Sequence, residues 1–278
     1  MNKKILKKIF LGIVYFFAVI GFVLTSGYFA VRFHLTNSAG IIDQQSASFL
    51  SESASTSTRP SVDMAWSKGD EWVPLSQAMT KDAGIVEHVS AITGVDGRLI
   101  TAQLVAEQLR LFTDEREVFK QVFAPLKILG SQSQFSWGIM GIKEDTAIAI
   151  ENNLKDTSSP YYLGPQYEHL LDFQTNDIQT ERFNRIVDEH NHYYDYLYTA
   201  LYLKEIMTQW KKAGFDISKK PEILSTLYNI GFAHSKPNAS PEVGGAPITV
   251  NGVVYSFGGL AYNYYYSTVL ENVFPPKN

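Results

Sequence analysis

The chain has 278 residues, 45% of them hydrophobic and 19% charged, with a formal net charge of -4 and no cysteine. That length suffices for one domain of ordinary size plus appendages. The lack of a basic excess leaves no footprint for nucleic acid, and zero cysteine excludes disulfides, thiol catalysis, Cys-ligated metals and a lipidated N-terminal cysteine.

The N-terminus carries Lys3, Lys4, Lys7 and Lys8, then an uncharged run over residues 9–31. At about 1.5 Å per residue this run spans roughly 35 Å, enough for a bilayer core with some tilt. The spacing predicts a transmembrane helix over 9–31 with a basic cytoplasmic tail over 1–8. The positive-inside bias sends the rest outward, to the extracytoplasmic side of the membrane. A cleaved signal peptide is the rival reading, but its apolar core is usually only about 7–15 residues. Residues 32–64, with "SASFLSESASTSTRPS", are rich in Ser and Thr and poor in large apolar residues. Such a segment buries too little surface to offset its ordering entropy and is expected to be a flexible linker.

Residues 65–278 have the pattern of one folded, mainly helical domain. "VPLSQAMTKDAGIVEHVSAITG" carries a helical rhythm that ends near a glycine, and "DGRLITAQLVAEQLRLF" is the clearest helix, with Asp96 as its expected N-cap. "EREVFKQVFAPLKILG" predicts a further helix interrupted near Pro125. "FSWGIMGIKEDTA" places Gly138 and Gly141 too close together for either helix or strand, and then opens a helix with acidic residues, as a helix N-terminus favours. After a loop around "KDTSSPYYLGPQYEHLL" comes a long helical pattern from about Thr180 to Ala213, then "KPEILSTLYNIG". Asn251-Gly252 between short β-branched runs is the signal of a two-residue hairpin turn, and "LAYNYYYSTVLENVF" closes the domain as a helix. The expected architecture is a helical domain with one small β-hairpin.

On a helical wheel, Leu99, Ala102, Val105, Ala106, Leu109 and Phe112 form a broad apolar face, and Ile100, Leu104 and Leu111 a second strip. Glu107 lies at the edge of that strip, beside Gln103 and Arg110. A carboxyl against apolar neighbours is expected to hold its proton more tightly, as a general acid near neutral pH requires. The alternative is a surface glutamate paired with Arg110 at i,i+3.

The order of these parts resembles the lysozyme-like superfamily of soluble lytic transglycosylases and goose-type lysozymes. "LITAQLVAEQLRLF" matches the family helix that bears a catalytic glutamate, here Glu107. "SWGIMGIKEDTA" matches its "GLMQ"-like turn, through Ser136, Gly138, Ile139 and Met140. "ALYLKEIM" and "STLYNIGF" match the helix and "YNAG" motif that follow, through Tyr228, Asn229 and Gly231. The similarity covers about residues 85–235. It implies a peptidoglycan-cleaving enzyme acting on the β-1,4 bond between N-acetylmuramic acid and N-acetylglucosamine, with Glu107 as acid and then base. It implies Ser136, Gly138, Met140, Tyr228 and Asn229 as substrate-binding residues. Gly138 would bring the backbone close to sugar, Met140 would pack under the cleft floor, and Tyr228 would reach toward Glu107 or the N-acetyl group.

There are departures. Gly141 stands where the family usually has Gln, and Gln108 where it mostly has Ser. A goose-type muramidase, with hydrolysis aided by a second acid such as Asp114, Glu115 or Glu117, is one alternative. A non-catalytic glycan-binding relative in the cell envelope is another. His190 and His192, at i,i+2 on the expected helix, do not share a face and suit a metal poorly. No metal or cofactor is expected. The expected partners are glycan strands and, through the N-terminal helix, the membrane.

Overall fold

A computed structural model of the protein describes residues 62–113 and 136–277, together with the single positions Tyr15, Gly21 and Phe22. The linker, the segment with Pro125, the acids Asp114, Glu115 and Glu117, and nearly all of the run over 9–31 lie outside the described residues. Among the described residues no helix is long and apolar enough to cross a membrane.

The described part is mainly helical. It runs α1 (Trp72–Lys81), α2 (Ala83–Thr93), α3 (Gly97–Thr113), β1 (Ser136–Trp137), β2 (Ile142–Lys143), α4 (Glu144–Lys155), α5 (Ile178–Ile186), α6 (Tyr193–Lys212), α7 (Pro221–Ile230), β3 (Pro247–Val250), β4 (Val253–Ser256) and α8 (Phe257–Tyr266). Local chemistry explains most of the boundaries. Asp96 Oδ1 accepts from Arg98 N at 2.8 Å and caps α3, as predicted. Gly94, with φ +73, ends α2 in the left-handed conformation. Pro221 opens α7, and Ser256 caps α8 by accepting from Gly259 N.

Three expectations are corrected. The rhythm over residues 73–94 is two helices, broken at Asp82, whose carboxylate is pinned to α6 through Nδ1 of His192 at 2.6 Å and the Tyr196 hydroxyl at 3.0 Å. The pattern from Thr180 to Ala213 is also two helices. Between them Asp188 Oδ1 accepts from His190 N and Asn191 N, and Asn191 Oδ1 from Tyr193 N, so side chains satisfy the backbone in place of helix carbonyls. Finally, there are two small β-ribbons rather than one hairpin. The predicted ribbon pairs β3 with β4 across Asn251 (φ 50) and Gly252 (φ 78), both at positive φ as that turn requires. The other pairs Ser136 with Lys143 and Trp137 with Ile142, and its loop is the glycine-bearing stretch 138–141.

Helix α3 is the axis of the domain, touching α1, α2, α6, α7, α8 and β3. Its polar seam, which the wheel separates from the apolar faces, is buried along with them: Arg98, Thr101, Gln103 and Glu107 all lie inside. Each buried polar group needs a partner. The Thr101 hydroxyl meets the Tyr264 hydroxyl at 3.0 Å, and Gln103 Nε2 donates to Ser225 Oγ at 2.8 Å. Arg98 spreads its guanidinium over five main-chain carbonyls of the C-terminal segment, those of Tyr264, Tyr265, Ser267, Val269 and Phe274, at 2.7–3.0 Å. A second buried knot joins α4, α5 and α6. There Arg182 grips Glu151 bidentately, at 2.7 Å on each oxygen, and the Tyr198 hydroxyl donates to the same carboxylate at 2.6 Å.

Candidate functional site

The chain brings the Glu107 carboxylate and the glycine-bearing turn together. Glu107 lies on the last turns of α3, with its side chain only 4% exposed. It packs against Gly141: a Cβ added there would stand 2.2 Å from Glu107 Oε1 and 2.5 Å from its carboxyl carbon. At φ +69 that glycine is also in a conformation other residues resist. The Arg110 guanidinium donates to Glu107 Oε1 at 2.5 Å. The i,i+3 pair expected of a surface glutamate is therefore present, but it covers a buried acid, with Arg110 at 17% the more exposed partner.

Gly138, with φ +64, makes room for something else. A Cβ there would meet Asp195 Oδ2 at 2.2 Å and the Ile186 carbonyl oxygen, at the end of α5, at 2.4 Å. The space expected to admit sugar is filled by a protein carboxyl and a helix end. Asp195 is wholly buried in the first turn of α6, and its Oδ2 accepts from Ile139 N at 2.5 Å and from Met140 N at 3.3 Å. Its Oδ1 finds no hydrogen-bond partner among the described residues. Burial pushes the Asp195 carboxyl up to about 8, against the pull of the two amides and of His192, and the nearby Glu107 charge adds to the rise.

The other two main-chain groups of Ile139 and Met140 are held as well. Gln108 Nε2 donates to Ile139 O at 2.5 Å, and the Tyr228 hydroxyl donates to Met140 O at 2.8 Å. Tyr228 was expected to reach Glu107 or substrate; its hydroxyl is instead spent on the turn, with Thr199 Oγ1 a further neighbour at 3.3 Å. Burial drives its ionisation far above the ordinary tyrosine range, with the charge of Glu107 contributing, so the phenol stays a neutral donor. Met140 is fully buried, beneath the turn rather than on its surface. Asn229 turns away from this cluster and accepts from Ala246 N at 2.8 Å, holding the loop that leads to β3. Ser136 is placed by its backbone, paired with Lys143 at the base of the ribbon.

Glu107, Gly138, Gly141, Met140 and Tyr228 thus converge, and Asn229 lies one residue beyond. Asp195 is not singled out by sequence, because nothing in the stretch 188–195 marks which of its acids the fold will bury. Gln108 was noticed, but as a departure from a motif. His192 lies outside this site: the Asp82 hydrogen bond raises its pKa, while burial of Asp82 is outweighed by His192 and Tyr196, so that carboxyl stays below its usual range. Among the described residues no group of three or more His, Cys, Asp or Glu side chains could hold a metal. No family model, curated protein or solved structure matches the chain.

Proposed function

We propose that the chain is a membrane-anchored peptidoglycan-cleaving glycosidase, a lytic transglycosylase with Glu107 as its single catalytic carboxyl. The observation that carries this reading is the packing of the buried Glu107 carboxylate against Gly141 of a turn whose sequence resembles the family's glycan-facing motif. In the proposed reaction Glu107 protonates the oxygen leaving C1 of N-acetylmuramic acid. The resulting carboxylate then takes the proton of that sugar's own 6-hydroxyl, which closes on C1 to give a 1,6-anhydro end. Entry of the glycan displaces the Arg110 guanidinium from Glu107 Oε1.

The lytic route needs one carboxyl, whereas inverting hydrolysis needs two. Inversion needs a second carboxylate about 6.5–9.5 Å away with room for a water between. Asp195, the nearby acid among the described residues, is sealed and tied to backbone amides. The non-catalytic reading draws support from the same Arg110 contact, which covers the acid. Muropeptide release from purified sacculi separates these readings. Wild type should release products one water lighter than reducing-end muropeptides. Glu107→Gln should lower release by at least about 10²-fold while sacculus binding persists. Undiminished release by that variant removes Glu107 as the acid; no release by wild type favours the binding protein; reducing ends favour the muramidase.

A further inference from the structure

We propose that Asp195 is a positioning residue of this site, holding the Ile139–Met140 backbone in the place where the Gly138–Gly141 turn meets Glu107. The inference rests on the glycosidase reading for its catalytic consequence but not for its structural content. The turn is unusual in how it is held. All four main-chain polar groups of two consecutive residues are taken by side chains: both N–H groups by Asp195 of α6, one C=O by Gln108 of α3 and the other by Tyr228 of α7. Buried main-chain groups find partners in backbone, side chains or water, and here side chains supply all four. Here three separate helices are pinned to one dipeptide, and Gln108 is the immediate neighbour of the acid it helps to face.

The Asp195 side-chain oxygen is the part of this clamp that receives both N–H groups. Gly138 lacks a side chain where that oxygen sits, so the fit is made from both sides. The titratable and charged groups facing it are Glu107 from α3, the Tyr228 hydroxyl from α7, and His192 and Tyr196 at the start of its own helix. Placing the acid and the opposing wall to within a fraction of an ångström is what the clamp contributes, and a misplacement of about 1 Å can cost about 10²-fold in rate.

The test uses the full-length chain in detergent, comparing wild type with Asp195→Asn, Asp195→Ala and Gln108→Ala. Amide hydrogen exchange at Ile139 and Met140 reads the clamp directly, whatever the protein's activity. Exchange there should rise at least about 10-fold in Asp195→Ala and stay within a few-fold of wild type in Asp195→Asn, which keeps an acceptor oxygen. Muropeptide release should follow the same order, with kcat down by about 10–100-fold in Asp195→Ala and largely restored in Asp195→Asn. Gln108→Ala, at a half-buried position, should lose rate with only a small drop in the unfolding midpoint, so the result does not depend on Asp195→Ala folding. Unchanged amide protection in Asp195→Ala, or full activity in both Asp195→Ala and Gln108→Ala, overturns the proposal. A wild type that releases no muropeptide refutes the glycosidase reading alone, because the exchange data still decide the clamp.

Discussion

Gly141 offers a direct measure of whether Glu107 occupies the place described. In Gly141→Ala the new methyl would lie 2.2 Å from Glu107 Oε1, 2.5 Å from its carboxyl carbon and 2.9 Å from its Cγ. Two costs add. Forcing alanine into φ +69 costs about 1–2 kcal/mol. Displacing a packed side chain adds about 1–3 kcal/mol, giving about 2–5 kcal/mol in all. Gly214 isolates the first cost, because its φ is +89 and nothing lies within 4 Å of its would-be Cβ; Gly214→Ala should cost only about 1–2 kcal/mol. In a Glu107→Ala background the clashing atoms are gone, so Gly141→Ala should fall to the cost seen at Gly214. Urea unfolding of the two single variants and the double variant, at constant m-value, yields the coupling directly, expected at about 1–3 kcal/mol. Equal costs of Gly141→Ala in the two backgrounds would refute the packing of the carboxylate on the turn, and with it the site.

Gly138→Ala should be worse, and Asp195→Ala should not rescue it. One of the two obstacles is the Ile186 carbonyl oxygen at 2.4 Å, which is backbone and cannot rotate away; at least about 3 kcal/mol is expected in urea unfolding. Arg98→Met should cost about 3–5 kcal/mol by the same assay, because five buried carbonyls lose their donor at once. Limited proteolysis of that variant should cut first within residues 264–277. Stability should also depend on pH through Asp195. Its carboxyl titrates near 3.8 when unfolded and at about 8 when folded, so between those values the folded state binds the extra proton and stability falls as pH rises. The slope is at most about 1.4 kcal/mol per pH unit. Asp195→Asn should remove that slope, and identical pH profiles for the two proteins would place Asp195 in a different environment.

Much of the local structure was legible in the residues because its causes are local. Apolar spacing marked the helices, Asp96 marked the start of one, and Asn251-Gly252 marked a turn whose two residues need positive φ. The same logic singled out Gly138 and Gly141 as a stretch that is neither helix nor strand, and Glu107 as an acid on a largely apolar helix. What surrounds those glycines was not legible. Asp195 and Ile186 approach Gly138 only because Asp188 and Asn191 break what periodicity suggests is one continuous helix. The periodicity records which positions are apolar and carries no trace of which acceptor a buried donor will meet. Arg98 looks like an ordinary charged residue near a helix start until it meets carbonyls more than 160 positions away. Likewise Tyr228 could be placed near the acid by motif order, but only the folded chain sends its hydroxyl to the Met140 carbonyl, 88 positions back. Periodicity and turn chemistry settle which backbone conformations each segment adopts. The pairing of buried polar groups is settled by the packing of distant helices, because desolvation favours whatever partner geometry leaves within reach.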